Sequence, residues 1–469
     1  MSRDPCIENA SLRPEHADAL TSVSLGQPRT FPDPLYGTVR VAAWAVGLLA
    51  TSPLRRLAGV SLSDVPGDLL FGRPFPSRLD HTLGVYHLAR LACPRDRALQ
   101  AAALAHDLGH GPFSHLTEPL MRERLGADHE ERSVWLLAEV RAALTPSAAR
   151  LTAWLDWDEV AQFMLGRGPG GRGVLLNGLL DYDNADNVAR FLLCSGLGTP
   201  GYDPVALARA LCLLPPEPVN GMDVPGSDAH AGRAASDVSL FRTAPADRVY
   251  LRAQAEDMAL GWQRDRAAVY RYLHEGHHNL AAHAMLRKAV DLAAAADLLP
   301  ASFFDMTDET ALRLLASAPE PGIVALARAA HAGADHVYRC VWEAEVSSEA
   351  ADLPTLFGRW RERLALEARL AREAGLAPHE VVLEVLASGA YRALPPLATL
   401  EHSLAFTRQA DPPLTPPRMV HLFAPLSAGQ DDVRRLRMAA ERRLGVLGAM
   451  PRSPDVQTGP PVLHFKQGS

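Results

Sequence analysis

The most informative residues lie between Ala102 and His115, where two apolar helical turns lead into His106-Asp107-Leu108-Gly109-His110-Gly111-Pro112-Phe113-Ser114-His115. An imidazole and a carboxylate side by side on an alanine-rich helix are costly to bury, and a divalent cation compensates both at once. Neutral imidazole with carboxylate suits Mn, Fe, Co, Ni or Zn, with Mg less favoured. His110 follows His106 by four residues and Asp107 by three, so a continuing helical turn puts it on the same side. Upstream, Ser77-Arg78-Leu79-Asp80-His81 opens another helix, with Ser77 or Asp80 as its cap and His81 as a further nitrogen ligand. Downstream, Asp181, Asp183 and Asp186 interrupt an otherwise apolar helical segment, and at least one of them needs a partner.

Helices must position these groups. A period near 3.6 predicts them at 41–57, 80–93, 96–107, 129–144, 158–165, 174–195 and 204–213, and again at 247–276, 278–297, 308–317, 322–346, 355–375 and 379–388. A segment of strand character, 35–41, precedes them. Near the other end an apolar run at 419–423 and a charged helix over 429–445 read as a small strand-and-helix element. Between these lie an irregular Pro/Gly/Ser-rich insertion at 214–246 and a Pro-rich joint at 411–417. The expected organisation is an N-terminal arm (1–30), a catalytic core (31–345), a helical extension (346–410), a small α+β element (411–450) and a disordered tail (451–469).

Composition excludes several classes. With 48% hydrophobic and 22% charged residues, the 469-residue chain can bury an ordinary core. Lys and Arg number 47 against 54 Asp and Glu, a formal charge of −7, so no basic field points to nucleic acid. The longest apolar stretch, 41–50, has about half the residues a bilayer span needs. Asp4, Glu8, Glu15 and Asp18 in the first thirty residues fit neither a secretory signal nor a transit peptide, so a soluble, cytoplasmic protein without membrane contact is expected. Cys6, Cys93, Cys194, Cys212 and Cys340 are scattered and form no C-x-x-C pair, as reduced thiols would be. The cluster His274-Glu275-Gly276-His277-His278 has no firm third ligand and reads as polar surface or phosphate contact. The glycines of 166–173 lack the Lys-Ser/Thr ending of a phosphate loop and read as a flexible loop. Arg434, Arg435, Arg437, Arg442 and Arg443 read as a solvated helix face.

Taken together, His81, His106-Asp107 and a late aspartate resemble the H…HD…D ligand set of the HD-domain phosphohydrolase superfamily. Within it the chain is most similar to the dGTP triphosphohydrolase and SAM-and-HD-domain dNTPase branch. The likeness rests on Asp33-Pro34-Leu35-Tyr36-Gly37, Arg78 to Val85, His106 to His115, Asp128-His129-Glu130 and Asp181 to Arg190. It is good over 31–200 and weaker over 200–345. The resemblance implies a mainly α fold, an HD-domain helical core with a short N-terminal β segment and a small C-terminal α+β appendage. It implies one divalent metal ion (Mn, Fe, Ni, Co, Zn or Mg) on His81, His106, Asp107 and Asp183. His110 and His129 match the proton-transfer histidines, Glu118 stands where the animal enzyme has Asp, and Arg78 and His115 match phosphate contacts. The implied reaction is hydrolysis of a small phosphorylated substrate, a nucleotide, with a dNTP cleaved to deoxynucleoside and triphosphate as leading candidate, in a homo-oligomer. Asn184 and Asn187 occupy substrate positions where the branch has Lys and Tyr, while Ala281, Met285 and Leu62 align with its His, Tyr and Gln. Other readings are a phosphatase of nucleoside monophosphates or other phosphate esters, a di-iron oxygenase drawing on His110, His115 and His129, and a nucleotide sensor without turnover.

Overall fold

The computed structural model describes residues 26–71, 75–178, 180–213, 249–252, 255–332, 337–346, 359–385, 418–445 and 449–451. The first 25 residues of the expected arm, the insertion 214–246, the joint 411–417 and the tail from 452 lie outside them, as do the side chains of His274, Glu275, His277 and His278.

The described chain begins with an antiparallel hairpin, β1 (Arg29–Asp33) and β2 (Gly37–Val41). The strand expected over 35–41 is therefore half turn: Asp33 accepts the N–H groups of Leu35 (2.8 Å) and Tyr36 (3.0 Å), which reverses the chain before Gly37. Helices follow at Ala43–Leu49, Ser52–Arg56, Arg78–Ala92, Arg97–Ala105, Glu118–Leu125, His129–Ala142, Trp157–Met164, Tyr182–Ser195 and Pro204–Ala210. Leu83, Tyr86, Leu104, Phe163, Leu192 and Trp262 belong to the core that joins them. The helix expected from 174 begins only at Tyr182, because Asp181 accepts N–H bonds from Gly178 (2.6 Å) and Asn184 (2.7 Å) and caps it. The glycines of 166–173 form a tight 3₁₀ turn rather than a loose loop, pinned by Arg172 to Asp96 (2.6 Å) and Glu159 (2.7 Å).

A short ribbon, β3 (Leu211–Leu213) with β4 (Val249–Leu251), precedes the helices Glu256–Glu275, His277–Ala295, Asp308–Ala316 and Pro321–Ala332. Met285, Leu286, Phe303, Leu326, Trp360 and Phe423 share a second core that runs into the C-terminal unit. That unit contains β5 (Tyr338–Val346), the helix Trp360–Ala374, β6 (Val382–Val385), β7 (Arg418–Pro425), the helix Gln430–Gly445 and β8 (Ala449–Pro451). Its antiparallel sheet has the order β6-β7-β5-β8.

Two expected helices are thus wholly or partly strands. The 322–346 segment holds the helix Pro321–Ala332 but is strand over Tyr338–Val346, where Val341, Ala344 and Val346 carry β-branched or small side chains buried on a pleated surface. The run Val381-Val382-Leu383-Glu384-Val385 is buried throughout, a pattern that periodicity cannot tell from a buried helix. The sheet consequently unites segments that the sequence divides among core, extension and terminal element. The arginines of the last helix are engaged rather than merely solvated: Arg437 donates to the Val341 carbonyl (2.6 Å) and Arg442 pairs with Glu373 (3.0 Å). Among the described residues no helix is long and apolar enough to cross a membrane.

Candidate active site

The helix Arg78–Ala92 starts at a reciprocal cap: Ser77 accepts the Asp80 N–H, and the Asp80 carboxylate accepts the Ser77 N–H at 2.7 Å. The cap fixes Arg78 and His81 in the first turn, both buried. His81 Nε2 lies 2.8 Å from Asp183 Oδ1, and its Nδ1 lies 2.7 Å from Asp186 Oδ2. Behind that contact Asp186 accepts from Arg190 Nε (2.8 Å), Arg190 Nη2 (2.9 Å) and the Tyr36 hydroxyl (2.7 Å). Arg190 Nη1 stands 2.9 Å from Asp33 Oδ2. The hairpin turn at Asp33 and Tyr36 is thereby wired to the ring orientation of His81. Gly84 is required for this approach, because a Cβ there would come within 1.9 Å of Asp186 Oδ1. The three aspartates of the late helix have three jobs: Asp181 caps it, Asp183 faces the cluster, and Asp186 supports His81 from behind.

His106 follows directly on the helix Arg97–Ala105 and places its Nδ1 2.9 Å from the Ala103 carbonyl. A carbonyl only accepts, so Nδ1 carries the proton and Nε2 presents its lone pair. That Nε2 is buried and has no hydrogen-bond partner among the described residues. It lies 3.4 Å from Asp107 Oδ1 and 3.9 Å from Asp183 Oδ1, while Asp107 Oδ2 is 3.9 Å from His81 Nε2. Ligand atoms of His81, His106 and Asp183 all fall within 4.8 Å of one another. An imidazole nitrogen that faces carboxylates and has no hydrogen-bond partner among the described residues fits a divalent cation. Burial would push the Asp107 carboxyl up, but Arg78 Nη1, at 2.8 Å, and the neighbouring histidines hold it well below the usual range.

Beyond Asp107 the turn that follows the helix reaches Gly109, where a Cβ would meet the His129 carbonyl at 1.9 Å. His110 therefore stacks on His129 with centroids 4.1 Å apart, and the His115 ring stands edge-on to both, at 4.8 and 5.0 Å. Glu118 accepts from His129 Nδ1 (2.9 Å) and His115 Nδ1 (3.2 Å). His110 Nε2 is 3.3 Å from Asp107 Oδ1, and burial, with Arg78 and His129 adding, lowers its pKa well below the ordinary value. Ligand atoms of His110, His115 and His129 also lie within 4.8 Å of one another. The loop that carries them is strained, with φ of 62° at Phe113 and 50° at Ser114. Such residues cost about 1–3 kcal/mol each. They are held by Asp308, which accepts the Phe113 and Ser61 N–H groups (2.8 Å each), and by Ser114 Oγ, which donates to the Ser61 carbonyl (2.9 Å) and accepts from Arg78 Nε (2.8 Å).

Beside these groups opens a cavity of about 410 Å³. Arg78, His115, Glu118, Asn184 and Asn187 line one part of it, and Leu62 lines it as well. Ala281 and Met285, the aligned positions of the substrate helix, are instead buried in the second core. The helix His277–Ala295 turns Asn279, His283, Arg287 and Asp291 to the cavity, joined by Glu384 of β6. Of these, only His283 is a candidate phosphate contact by sequence, alongside His274, His277 and His278. The signal was present, since positions 279, 283, 287 and 291 repeat every four residues in an otherwise apolar helix. The support that Asp186 gives His81, and the hold of Asp308 on Phe113 and Ser61, bridge residues more than a hundred positions apart and carry no local signal in the sequence.

Residues 78–162 match the family model of the HD domain. Deoxynucleoside triphosphate triphosphohydrolase SAMHD1 of Gallus gallus is 32% identical over 126 residues, covering 23% of this chain and 20% of the relative. The Homo sapiens protein of the same name is 29% identical over 135 residues, covering 25% and 21%. Uncharacterized protein YwfO of Bacillus subtilis is 33% identical over 121 residues, covering 23% and 27%. The matched region thus spans about a fifth to a quarter of these relatives' length. Residues 78–162 thus match the HD domain, and over this region the chain is similar to proteins named deoxynucleoside triphosphate triphosphohydrolase. A solved structure of a hypothetical protein from Aquifex aeolicus shares the fold, with a TM-score of 0.61 at 17% identity, over 87% of this chain and 100% of that one.

Proposed function

We propose that this protein is a metal-dependent phosphohydrolase acting on nucleotides, with cleavage of a dNTP to deoxynucleoside and triphosphate as the leading reaction. The observation that carries the reading is the orphaned His106 Nε2, set among carboxylates at the side of a cavity that Arg78 and His115 line. His81, His106, Asp107 and Asp183 would hold the ion. When bound, a divalent ion there supplies Lewis acidity toward a phosphoryl oxygen and a water.

The chain's own groups supply the remainder. Arg78, anchored on Asp107 and Ser114, and His115 face phosphate oxygens. His110, neutral because its pKa is depressed, accepts a proton from the attacking water. His129, whose Nδ1 is held by Glu118, delivers a proton from Nε2 to the leaving oxygen. Asn184 and Asn187 contact the sugar or phosphates from the helix that carries Asp183. The names of the SAMHD1 relatives support a deoxynucleoside triphosphate as substrate. Free Cys93, Cys194 and Cys340 suit a reducing cytosol.

A second reading, a di-iron oxygenase, draws on the second group, His110, His115 and His129. The face-to-face stack of His110 on His129 favours proton relay over two rings converging on one ion. Chromatography of products from dNTPs, NTPs and nucleoside monophosphates, with Mn, Fe, Co, Ni or Mg, tests the proposal. Nucleoside plus triphosphate is expected from a dNTP. Phosphate released only from monophosphates would move the protein to the phosphatase class, and binding without any release would leave a sensor.

A further inference from the structure

The part of the cavity wall formed by Glu384 and the helix His277–Ala295 carries unanswered acceptors. Glu384 Oε2 is engaged by Arg287 Nε at 3.1 Å and faces His283 Nδ1 at 3.4 Å. Its Oε1 is buried without a hydrogen-bond partner among the described residues. Burial would raise this carboxyl, yet Arg287 and His283 hold it at about 2, so it is ionised and can only accept. One polar repeat away, Asn279 donates Nδ2–H to the Tyr272 carbonyl at 2.9 Å, which fixes the amide. The Oδ1 of Asn279 is likewise buried and unpaired among the described residues. Glu384 and Asn279 both line the cavity that also holds Arg78, His115 and Asn184.

Two unsatisfied acceptors in one wall ask for N–H donors on whatever fills the cavity, because leaving them dry is costly. With phosphates at Arg78 and His115, the part of a nucleotide left for this wall is the base. Guanine, adenine and cytosine carry an exocyclic amine with two N–H donors. Thymine and uracil carry carbonyl oxygens in its place, which an ionised carboxylate repels.

We propose that Glu384 and Asn279 form a base-recognition wall that selects nucleotides bearing an exocyclic amino group, an inference that rests on the nucleotide reading above. The C-terminal unit then contributes directly to the substrate site through β6. Arg287 and His283 act as positioning residues that hold the Glu384 carboxylate toward the base.

The test uses the full-length, Mn-loaded protein and compares two pairs, dGTP with dITP and dCTP with dUTP, by kcat/KM and by equilibrium binding of analogues in which a methylene replaces the 5′ oxygen, so that the scissile bond is absent. The amino-bearing member of each pair is expected to be favoured by about tenfold or more. Glu384→Gln, which offers an amide N–H in place of a carboxylate oxygen, collapses or inverts the dCTP/dUTP ratio. Asn279→Ala, a milder change, shrinks the ratios in the same direction even where Glu384→Gln fails to fold. Ratios near one in both pairs overturn the recognition wall and leave the hydrolase reading standing. A binding preference without turnover leaves the wall standing and overturns the hydrolase reading. Absence of nucleotide binding overturns both.

Discussion

Two clusters of buried charge are built on opposite principles. Around His106, carboxylates crowd an imidazole nitrogen that has no hydrogen-bond partner among the described residues, and Arg78 is a fixed cation in contact with Asp107. Where the helix His277–Ala295 meets the C-terminal unit, ions are matched within the fold: Glu384 by Arg287 (3.1 Å), Asp291 by Arg363 (2.6 Å) and Glu367 by Lys288 (3.1 Å). Lys288 donates as well to the carbonyls of Pro378 and Val381. These pairs tie the helix His277–Ala295 to β6 and to the helix Trp360–Ala374. An imidazole nitrogen without a counterpart leaves room for an ion and for chemistry, whereas a fixed counter-ion for each charge makes a joint, even though one oxygen, Glu384 Oε1, has no hydrogen-bond partner among the described residues.

Five changes separate the two. Asp107→Ala is expected to lower phosphate release by on the order of 10³-fold while the protein stays folded, read by product chromatography alongside circular dichroism. Lys288→Met belongs to the joint and should do the reverse, costing about 3–5 kcal/mol by leaving Glu367 buried and unpaired, with the metal content of the folded fraction unchanged. If Lys288→Met instead stripped the metal, the two clusters would not be separate. His129→Gln should reduce kcat by about 10²-fold with little change in metal affinity, which titration calorimetry with Mn distinguishes. Asp186→Asn, acting through His81, is expected to weaken metal binding by about 10- to 100-fold.

The smallest effect is acid sensitivity of the joint. Glu384 titrates at about 2 in the folded protein against an ordinary 4.5, so its contribution is present above pH 4.5 and is lost as pH falls from there toward 2. By pH 3 that amounts to on the order of 2 kcal/mol. Denaturation of wild type and Glu384→Gln at pH 6 and pH 3 should show the difference between them shrinking in acid. A constant difference would mean that the carboxylate charge is not what binds the units.

The same contrast explains what could be read from the sequence. His106, Asp107 and His110 are neighbours on one helical end, and His81 sits in a capped first turn, so local spacing exposes them. The roles of Asp181, Asp183 and Asp186 are not separable by spacing alone, because capping, facing the cluster and supporting His81 depend on where Gly178, His81 and Arg190 lie in space. The wall formed by Glu384 was illegible for a different reason. Its groups come from two segments about a hundred residues apart, and the one bearing Glu384 is an apolar run whose buried strand imitates a helix. The helix expected over 278–297 is observed as His277–Ala295, but its cavity face runs through Asn279, His283 and Arg287, while Ala281 and Met285 turn into the core.

The proposed centre is one divalent ion on His81, His106, Asp107 and Asp183 that serves phosphate-ester or phosphoanhydride hydrolysis. Counting metal ions per chain after reconstitution, on the same samples assayed for nucleotide hydrolysis, tests it when wild type is set beside the His106→Ala/Asp107→Ala double variant. One ion per wild-type chain is expected, with both ion and hydrolysis lost in the double variant. Two irons per chain with oxygen uptake and no phosphate product, or hydrolysis that survives in the double variant, would contradict it.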